Sequence, residues 1–193
     1  MLKNPQDRRA RRTAAQIRET MLTFMETRPI HQISVSDICK TCQINRATFY
    51  DHYRDVFDLV QDMENQVLGA VQDVMETASP EGTSPEEVSR LFFAFLEQHR
   101  RILYLLLTSE RSREFSIRLD SLLTPFFEKK IRQSYRIPAG MEGELRSTMA
   151  FVSSGYYRFF MLALTEGHVE ESAALCARLS DACLGTLFTK KSD

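Results

Sequence analysis

The sequence predicts an all-α protein: an N-terminal three-helix unit carrying a helix-turn-helix, followed by a C-terminal helical domain. Three observations lead there. Apolar residues recur at three-and-four spacing through most of the 193 residues. Ser, Thr, Asp and Asn stand where such stretches begin, as helix caps do. Seven glycines and six prolines are too few for the turns of an all-β fold, and no convincing strand alternation, internal repeat or low-complexity tract is present.

The first helix presents Ala14, Ile17, Met21, Phe24 and Met25 on one face. Arg28-Pro29 should end it, because the residue before proline avoids the α region. Ser34-Val35-Ser36-Asp37 matches a capping box and predicts a short helix from Val35 to about Thr41. Asn45 is a good N-cap for another, from Arg46 to about His52. Asp55 caps a fourth, with Phe57, Val60, Met63, Val67 and Val71 expected on its inner face. Ser79-Pro80-Glu81-Gly82-Thr83 reads as a linker. Ser84-Pro85-Glu86-Glu87 then opens an amphipathic helix with proline at its first position, carrying Val88, Leu91, Phe92, Phe95 and Leu96. Breaks are expected near Thr108-Ser109, Pro138-Ala139-Gly140 and Glu166-Gly167-His168, and Pro125 should kink or split its helix. The last two helices, about 141–166 and 169–187, show apolar lines. These run through Leu145, Met149, Val152, Tyr156, Phe159 and Ala163, and through Val169, Ala173, Cys176, Leu179 and Cys183.

The composition, 43% hydrophobic and 26% charged, is ordinary for a soluble globular protein. No apolar run approaches the ~20 residues that span a bilayer, and no apolar segment follows the charged start as a secretion signal would require. The expectation is a cytoplasmic protein. The formal net charge is −1, but it is unevenly placed: residues 1–60 carry +3 and the remainder −4. Such asymmetry points to one polyanion-facing part. Cys39-x-x-Cys42 resembles half of a zinc site, yet Cys176 and Cys183 lack ligand spacing. The four thiols are therefore read as small buried side chains, and no metal site is assigned. No Gly-rich phosphate loop, HExxH or G-x-S-x-G elbow is present, so no catalytic residue is assigned and the chain is not read as an enzyme.

Ile33 to Leu59 holds a short capped helix, the turn Cys42-Gln43-Ile44-Asn45 and a second short helix, which is helix-turn-helix spacing. In that motif the first helix braces the second, and the second projects its N-terminal side chains into the ~12 Å major groove, where base edges carry a distinct hydrogen-bonding code. Ile38 and Cys39 should pack the first helix, while Ile44 and Phe49 pin the pair to the scaffold.

The run from Ser34 to Tyr53, with Thr48-Phe49-Tyr50-x-His52-Tyr53 followed by Asp58-Leu59, resembles the signature T-V-x-x-I-A-x-x-A-G-V-S-x-x-T-[FL]-Y-x-[HY]-F of TetR-family transcriptional regulators. The resemblance covers roughly residues 10–70. It implies that Arg46, Ala47 and Thr48 face base edges or nearby phosphates. It implies phosphate contacts from Tyr50, His52, Ser36 and Thr41, and gives the Arg8–Arg12 cluster a reach along the backbone or into the minor groove. Three positions depart from the pattern. Gln43 replaces the usual turn glycine. Val56 replaces a usual phosphate-binding lysine, for which Arg54 is expected to compensate. Ser34 replaces a capping threonine.

The resemblance further implies residues 8–60 as the DNA-binding domain (helix-turn-helix about 33–52) and residues 61–193 as the C-terminal domain, linked by the helix from about Asp55 to Thr77. Tyr156-Tyr157 and Leu164-Thr165-Glu166-Gly167, with the final helix, resemble the end of the family's dimerisation domain. The implied assembly is a homodimer through the last two helices, reading a pseudo-palindromic operator in double-stranded DNA. The implied function is repression, released by an unidentified small-molecule effector, with no resident cofactor and no membrane partner. Phe95, His99, Tyr104, Arg118 and Tyr157 are candidates to line an effector pocket, although aromatic residues at helical spacing are by default core or interface. Two alternatives stand beside this reading: a DNA-binding adaptor or activator controlled by a protein partner, and a helical enzyme or binding protein.

Overall fold

A computed structural model describes residues 5–80, 82–166 and 169–191. In chain order the described elements are α1 (Pro5–Met25), a 3-10 turn (Ile30–Gln32), α2 (Val35–Cys42), α3 (Arg46–Tyr50), α4 (Val56–Thr77), α5 (Pro85–Gln98), α6 (Arg100–Thr108) and α7 (Ser112–Ser134). They continue as β1 (Tyr135–Arg136), α8 (Glu142–Glu166), α9 (Val169–Leu187) and β2 (Thr189–Lys190). The fold is all-α apart from the antiparallel pair β1–β2, which the sequence pattern did not reveal because two residues are too few to alternate. The described residues form two compact units, one from the chain up to Leu68 with Leu105–Phe115, the other from Gly69–Tyr104 and the chain from Ser116 on. No described helix is long and apolar enough to cross a membrane.

The first unit is organised by α1. Its buried Ile17, Thr20 and Met21 face a core that includes Ile38, Cys39 and Cys42 of α2, Phe49 of α3 and Tyr53. Burying each large apolar side chain contributes roughly 1.5–3 kcal/mol relative to leaving it in water. The capping signals act as expected. Ser34 Oγ accepts from the Asp37 amide while the Asp37 carboxylate accepts from the Ser34 amide, and Asp55 Oδ1 accepts from the Asp58 amide. α1 ends at Met25, three residues before the residue that precedes Pro29. The intervening amides still bond back, Glu26 to Leu22 O and Arg28 to Phe24 O, and the Arg28 guanidinium lies 4.1 Å over the Phe24 ring.

The α4 register differs from expectation at one residue. Val56, Leu59, Val60, Met63 and Val67 are buried, whereas Phe57 is 48% exposed. A stripe centred on Val60, Met63 and Val67 passes through Val56, and 100° per residue carries Phe57 off its edge. The same unit includes Leu105, Leu106, Leu107 and Phe115, all buried. It also holds an ion pair between Arg111 Nε and the Glu64 carboxylate, 3.6 Å apart with Glu64 only 1% exposed. A charge that deeply buried requires such a partner. His31 Nδ1 and Glu110 Oε1 form a second, exposed pair at 2.8 Å.

In the second unit α5 packs against α9 and α8, and α8 packs on α9. The rings of Phe126, Phe92, Phe127, Tyr156, Phe160 and Phe93 contact one another in succession, with centroids 4.9 to 6.2 Å apart. The Tyr156 hydroxyl is satisfied by Ser89 Oγ at 2.9 Å. A smaller apolar cluster of Tyr135, Leu145, Leu184 and Phe188 lies beside the β1–β2 pair. Three expectations meet a different outcome here, and a fourth falls outside the described residues. α7 is not split at Pro125, the second of the two outcomes expected there, and runs as one helix through it. α5 and α6 are separated at His99, where no glycine or proline marked a break. Leu179 is exposed, because the buried line of α9 follows Ala173, Cys176, Ala177 and Leu184. The predicted break at Gly167-His168 and the side chains of Leu164, Glu166 and Val169 lie outside the described residues.

The turn between α2 and α3 rests on Gln43, which has φ 54° and ψ 42° and is the single described non-glycine residue with positive φ. A left-handed backbone costs an L-residue roughly 1–2 kcal/mol. Gln43→Gly should therefore stabilise the first unit by about 1 kcal/mol, offset in part by the greater entropy of an unfolded glycine, and differential scanning calorimetry should show the gain. Pro125 removes one hydrogen bond inside α7. Pro125→Ala should stabilise the second unit by about 2 kcal/mol, the ~3 kcal/mol interior penalty less the entropy that proline removes from the unfolded chain. An unchanged denaturation midpoint would contradict this.

Candidate nucleic-acid interface

Five residues make too short a helix to hold itself together, so α3 is defined by its anchors. The Asn45 side chain caps it, accepting from the Thr48 amide at 2.7 Å. Phe49 is fully buried and meets the Tyr50 and Tyr53 rings at 5.7 and 5.9 Å. Ile44 is half-buried. The Cys39 thiol lies 3.8 Å from the Asn45 carbonyl, which ties α2 to the N-terminus of α3. Cys42 is likewise buried, 3.1 Å from Thr20 Oγ1. Burial pushes the Cys39 thiol up, which keeps it protonated. Both cysteines of the C-x-x-C therefore act as packing groups tied to neighbouring oxygens.

With Phe49 inward, the rest of α3 faces outward. Arg46, Ala47 and Tyr50 are exposed, Tyr50 by 54%, while Thr48 and His52 are half-buried. Ser36 and Thr41 of α2 are exposed. The Arg46 guanidinium donates to Ser36 Oγ, so these two residues are brought together, one from each helix. The His52 ring tilts against Tyr53, centroids 6.1 Å apart.

Arg54 is also exposed but engaged. Its guanidinium meets Asp58 Oδ1 at 2.9 Å, and its amide donates to Asp58 Oδ2 at 2.9 Å. These Arg54 contacts hold the Asp58 carboxyl below the usual carboxylate range. The start of α4 is thus sealed by its own carboxylates, Asp55 and Asp58. Val56, at the position where the resemblance expects a lysine, is buried.

Sequence reasoning missed the network behind this surface. Arg18 Nη1 donates to Tyr53 Oη at 3.1 Å, and the Tyr53 hydroxyl donates to Asp62 Oδ2 at 3.1 Å. Arg18 also pairs with Asp62 at 3.3 Å, and Gln66 donates to the same carboxylate at 2.7 Å. Burial, reinforced by the Asp62 charge, pushes the Tyr53 phenol up to about 12, so it stays a neutral donor. The partners lie 35 and 44 residues from Arg18, beyond any local pattern. The hydroxyl that distinguishes Tyr53 from the phenylalanine of the family signature was the one available hint.

The five pocket candidates differ in their surroundings. Phe95 is buried and its ring lies 4.6 Å from that of His99. Tyr104 lines an open cleft of about 460 Å³ with Arg100, Arg101 and Thr165. Arg118 is half-buried and Tyr157 exposed, and neither lines that cleft.

The chain matches no protein-family model. Over 84 residues, 43% of its length, it is 36% identical to an HTH-type transcriptional regulator, YxbF, of Bacillus subtilis (strain 168). The match spans only 21% of that relative. Solved structures are similar over nearly the whole chain. A TetR transcriptional regulator from Streptococcus agalactiae 2603V aligns over 91% of this chain and 97% of its own, with a TM-score of 0.63 and 19% identity. The protein of a SmeT–triclosan complex aligns over 88% and 90%, with a TM-score of 0.68 and 12% identity. The dihydroxyacetone kinase operon activator DhaS aligns over 92% and 98%, with a TM-score of 0.61 and 18% identity. In fold the chain is similar to these TetR/AcrR-type regulators: all-helical, with an N-terminal helix-turn-helix and a C-terminal helical domain.

Proposed function

We propose that this chain is a sequence-specific, DNA-binding transcriptional regulator. The observation that carries the reading is the surface of α3: Arg46, Ala47, Thr48 and Tyr50 stand outward from a helix whose inward Phe49 is fully buried. Such a helix enters a major groove with its N-terminal residues on base edges. Arg46 and Thr48 are assigned to bases, with Ala47 in apolar contact. Tyr50, His52, Ser36 and Thr41 are assigned to phosphates, which set position without reading sequence. Arg54 joins them only by exchanging its Asp58 contact for a phosphate.

The active species is a homodimer through α8 and α9. Their outer faces support this. Phe151 of α8 is 70% exposed, flanked by exposed Ser147, Ser154 and Gly155. Leu179 and Leu187 of α9 are exposed with Ala182 and Thr186 on the same helical face. Large exposed apolar side chains next to small residues allow helices to approach closely and form a four-helix bundle. A two-fold dimer places its recognition helices about one DNA turn, ~34 Å, apart on a pseudo-palindrome.

Within this reading the chain is a repressor, and an effector in the C-terminal domain releases it by binding the non-DNA-bound arrangement more tightly. The SmeT–triclosan complex is a ligand-bound neighbour, which supports an effector. A second reading is favoured by another neighbour, which is an operon activator. In it the C-terminal domain answers to a protein partner, and the ring-to-ring packing of its aromatic residues is structural.

Selection from a random duplex library, followed by anisotropy titration, tests DNA recognition. The expected product is a two-half-site motif. Arg46→Ala and Thr48→Ala should each cost about 1–3 kcal/mol of discrimination against scrambled DNA. A library that yields no enriched motif contradicts the function. For the assembly, light scattering should give twice the 22.3 kDa chain mass, and Phe151→Glu should return the single-chain mass. A dimer that survives Phe151→Glu would place the interface elsewhere.

A further inference from the structure

The arginines of the first unit differ in what holds them. Arg18, Arg28 and Arg54 each sit on a carboxylate, that of Asp62, Asp37 and Asp58, at 3.3, 3.4 and 2.9 Å. The Arg46 guanidinium is held by a neutral group instead, donating to the Ser36 hydroxyl across the helix-turn-helix. Ser36 stands in the first turn of α2 and Arg46 opens α3. Both are exposed. Cys39 lies three residues beyond Ser36, on the same side of α2. Burial raises the Cys39 thiol and the neighbouring Cys42 adds to this, while the Arg46 charge works against both. The guanidinium therefore lies along the Ser36–Cys39 side of α2 and does not extend freely into water.

We propose that Ser36 is a positioning residue for base reading: it holds the Arg46 fork toward the O6 and N7 edge of a guanine, so that α2 sets the base choice made by α3. The inference rests on the DNA-binding reading above and deepens it. An arginine paired with a carboxylate must give up that ion pair to reach DNA, whereas a hydroxyl fixes direction and leaves the positive charge whole. The guanidinium carries more N–H donors than Ser36 uses, which leaves a pair for a bidentate guanine contact. The Ser36 oxygen accepts from Arg46 and keeps its own O–H for the phosphate assigned to it above. One hydroxyl then ties the register on the backbone to the choice of base. A long side chain held before binding also loses less rotamer freedom when the contact forms.

The motif selected from a random duplex library locates the position at which Arg46→Ala removes the base preference, and a guanine is expected there. Anisotropy titrations of the full-length chain then compare the selected duplex with one in which this base pair alone is changed. Arg46→Ala should lower the guanine preference about tenfold or more. Ser36→Ala should lower it about threefold to tenfold, at this position alone. Ser36→Thr keeps the hydroxyl and should keep most of the preference. In an Arg46→Ala background, Ser36→Ala should change the preference no further, because it acts through Arg46. A Ser36→Ala chain whose guanine preference is intact overturns the proposal, and an equal weakening on every duplex would mark a phosphate contact or a structural role. A further loss of preference in the Arg46→Ala background also overturns it, because Ser36 would then read the base itself. If the wild type selects a motif but Arg46→Ala alters no position, or alters one that is not guanine, the proposal falls and the DNA-binding reading stands. A wild-type chain that selects no motif overturns both.

Discussion

The burial of Phe49 is the constraint on which the outward chemistry depends. α3 has five residues, far below the length at which a helix persists in water. Its direction is set by one side chain with no exposed surface, by the Asn45 cap at its start and by the Cys39 thiol at the Asn45 carbonyl. Once these are satisfied, Arg46, Ala47 and Tyr50 have nowhere to point but outward. A smaller residue at position 49 would leave a void in the core and free α3 to rotate, so the stability of this unit and the outward placement of Arg46, Ala47 and Tyr50 share one contact.

Polar ties complement this apolar pin. The Arg18–Tyr53–Asp62 network, with Gln66 on the same carboxylate, joins α1, the segment after α3, and α4. Tyr53 is both buried and hydrogen-bonded, so its ring packs while its hydroxyl avoids the cost of an unpaired buried donor. Within the same unit, the Glu64–Arg111 pair and the His31–Glu110 pair attach the Leu105–Phe115 segment. They determine how firmly the scaffold of α3 is held.

The departures from the family pattern have local consequences that fit together. Gln43 adopts the left-handed conformation that glycine would adopt at lower cost. Val56 withdraws into the core, and the first turn of α4 is capped by Asp55 and Asp58, with Arg54 drawn onto Asp58. Beside the position that is lysine in the family pattern, this chain places carboxylates. The Arg9–Arg12 side of α1 carries positive charge in the same unit.

Much of this was legible in the sequence because it is local. Helix caps act within three residues, and apolar periodicity within one or two turns. The Ser34 box, the Asn45 and Asp55 caps, the α2–turn–α3 spacing and the extents of α8 and α9 could all be read that way. So could the buried state of Ile38, Cys39 and Phe49. Tertiary structure decided what depends on residues far apart in the chain. It brought Arg18 to Asp62 and Gln16 to Cys42, placed Leu105–Phe115 in the same unit as the helix-turn-helix, and paired β1 with β2. It turned Phe57 and Leu179 outward against their local pattern, and let α7 run through Pro125. The physical reason is that a residue's own neighbours fix backbone conformation, whereas burial and charge pairing are settled by whichever distant surface packs against it.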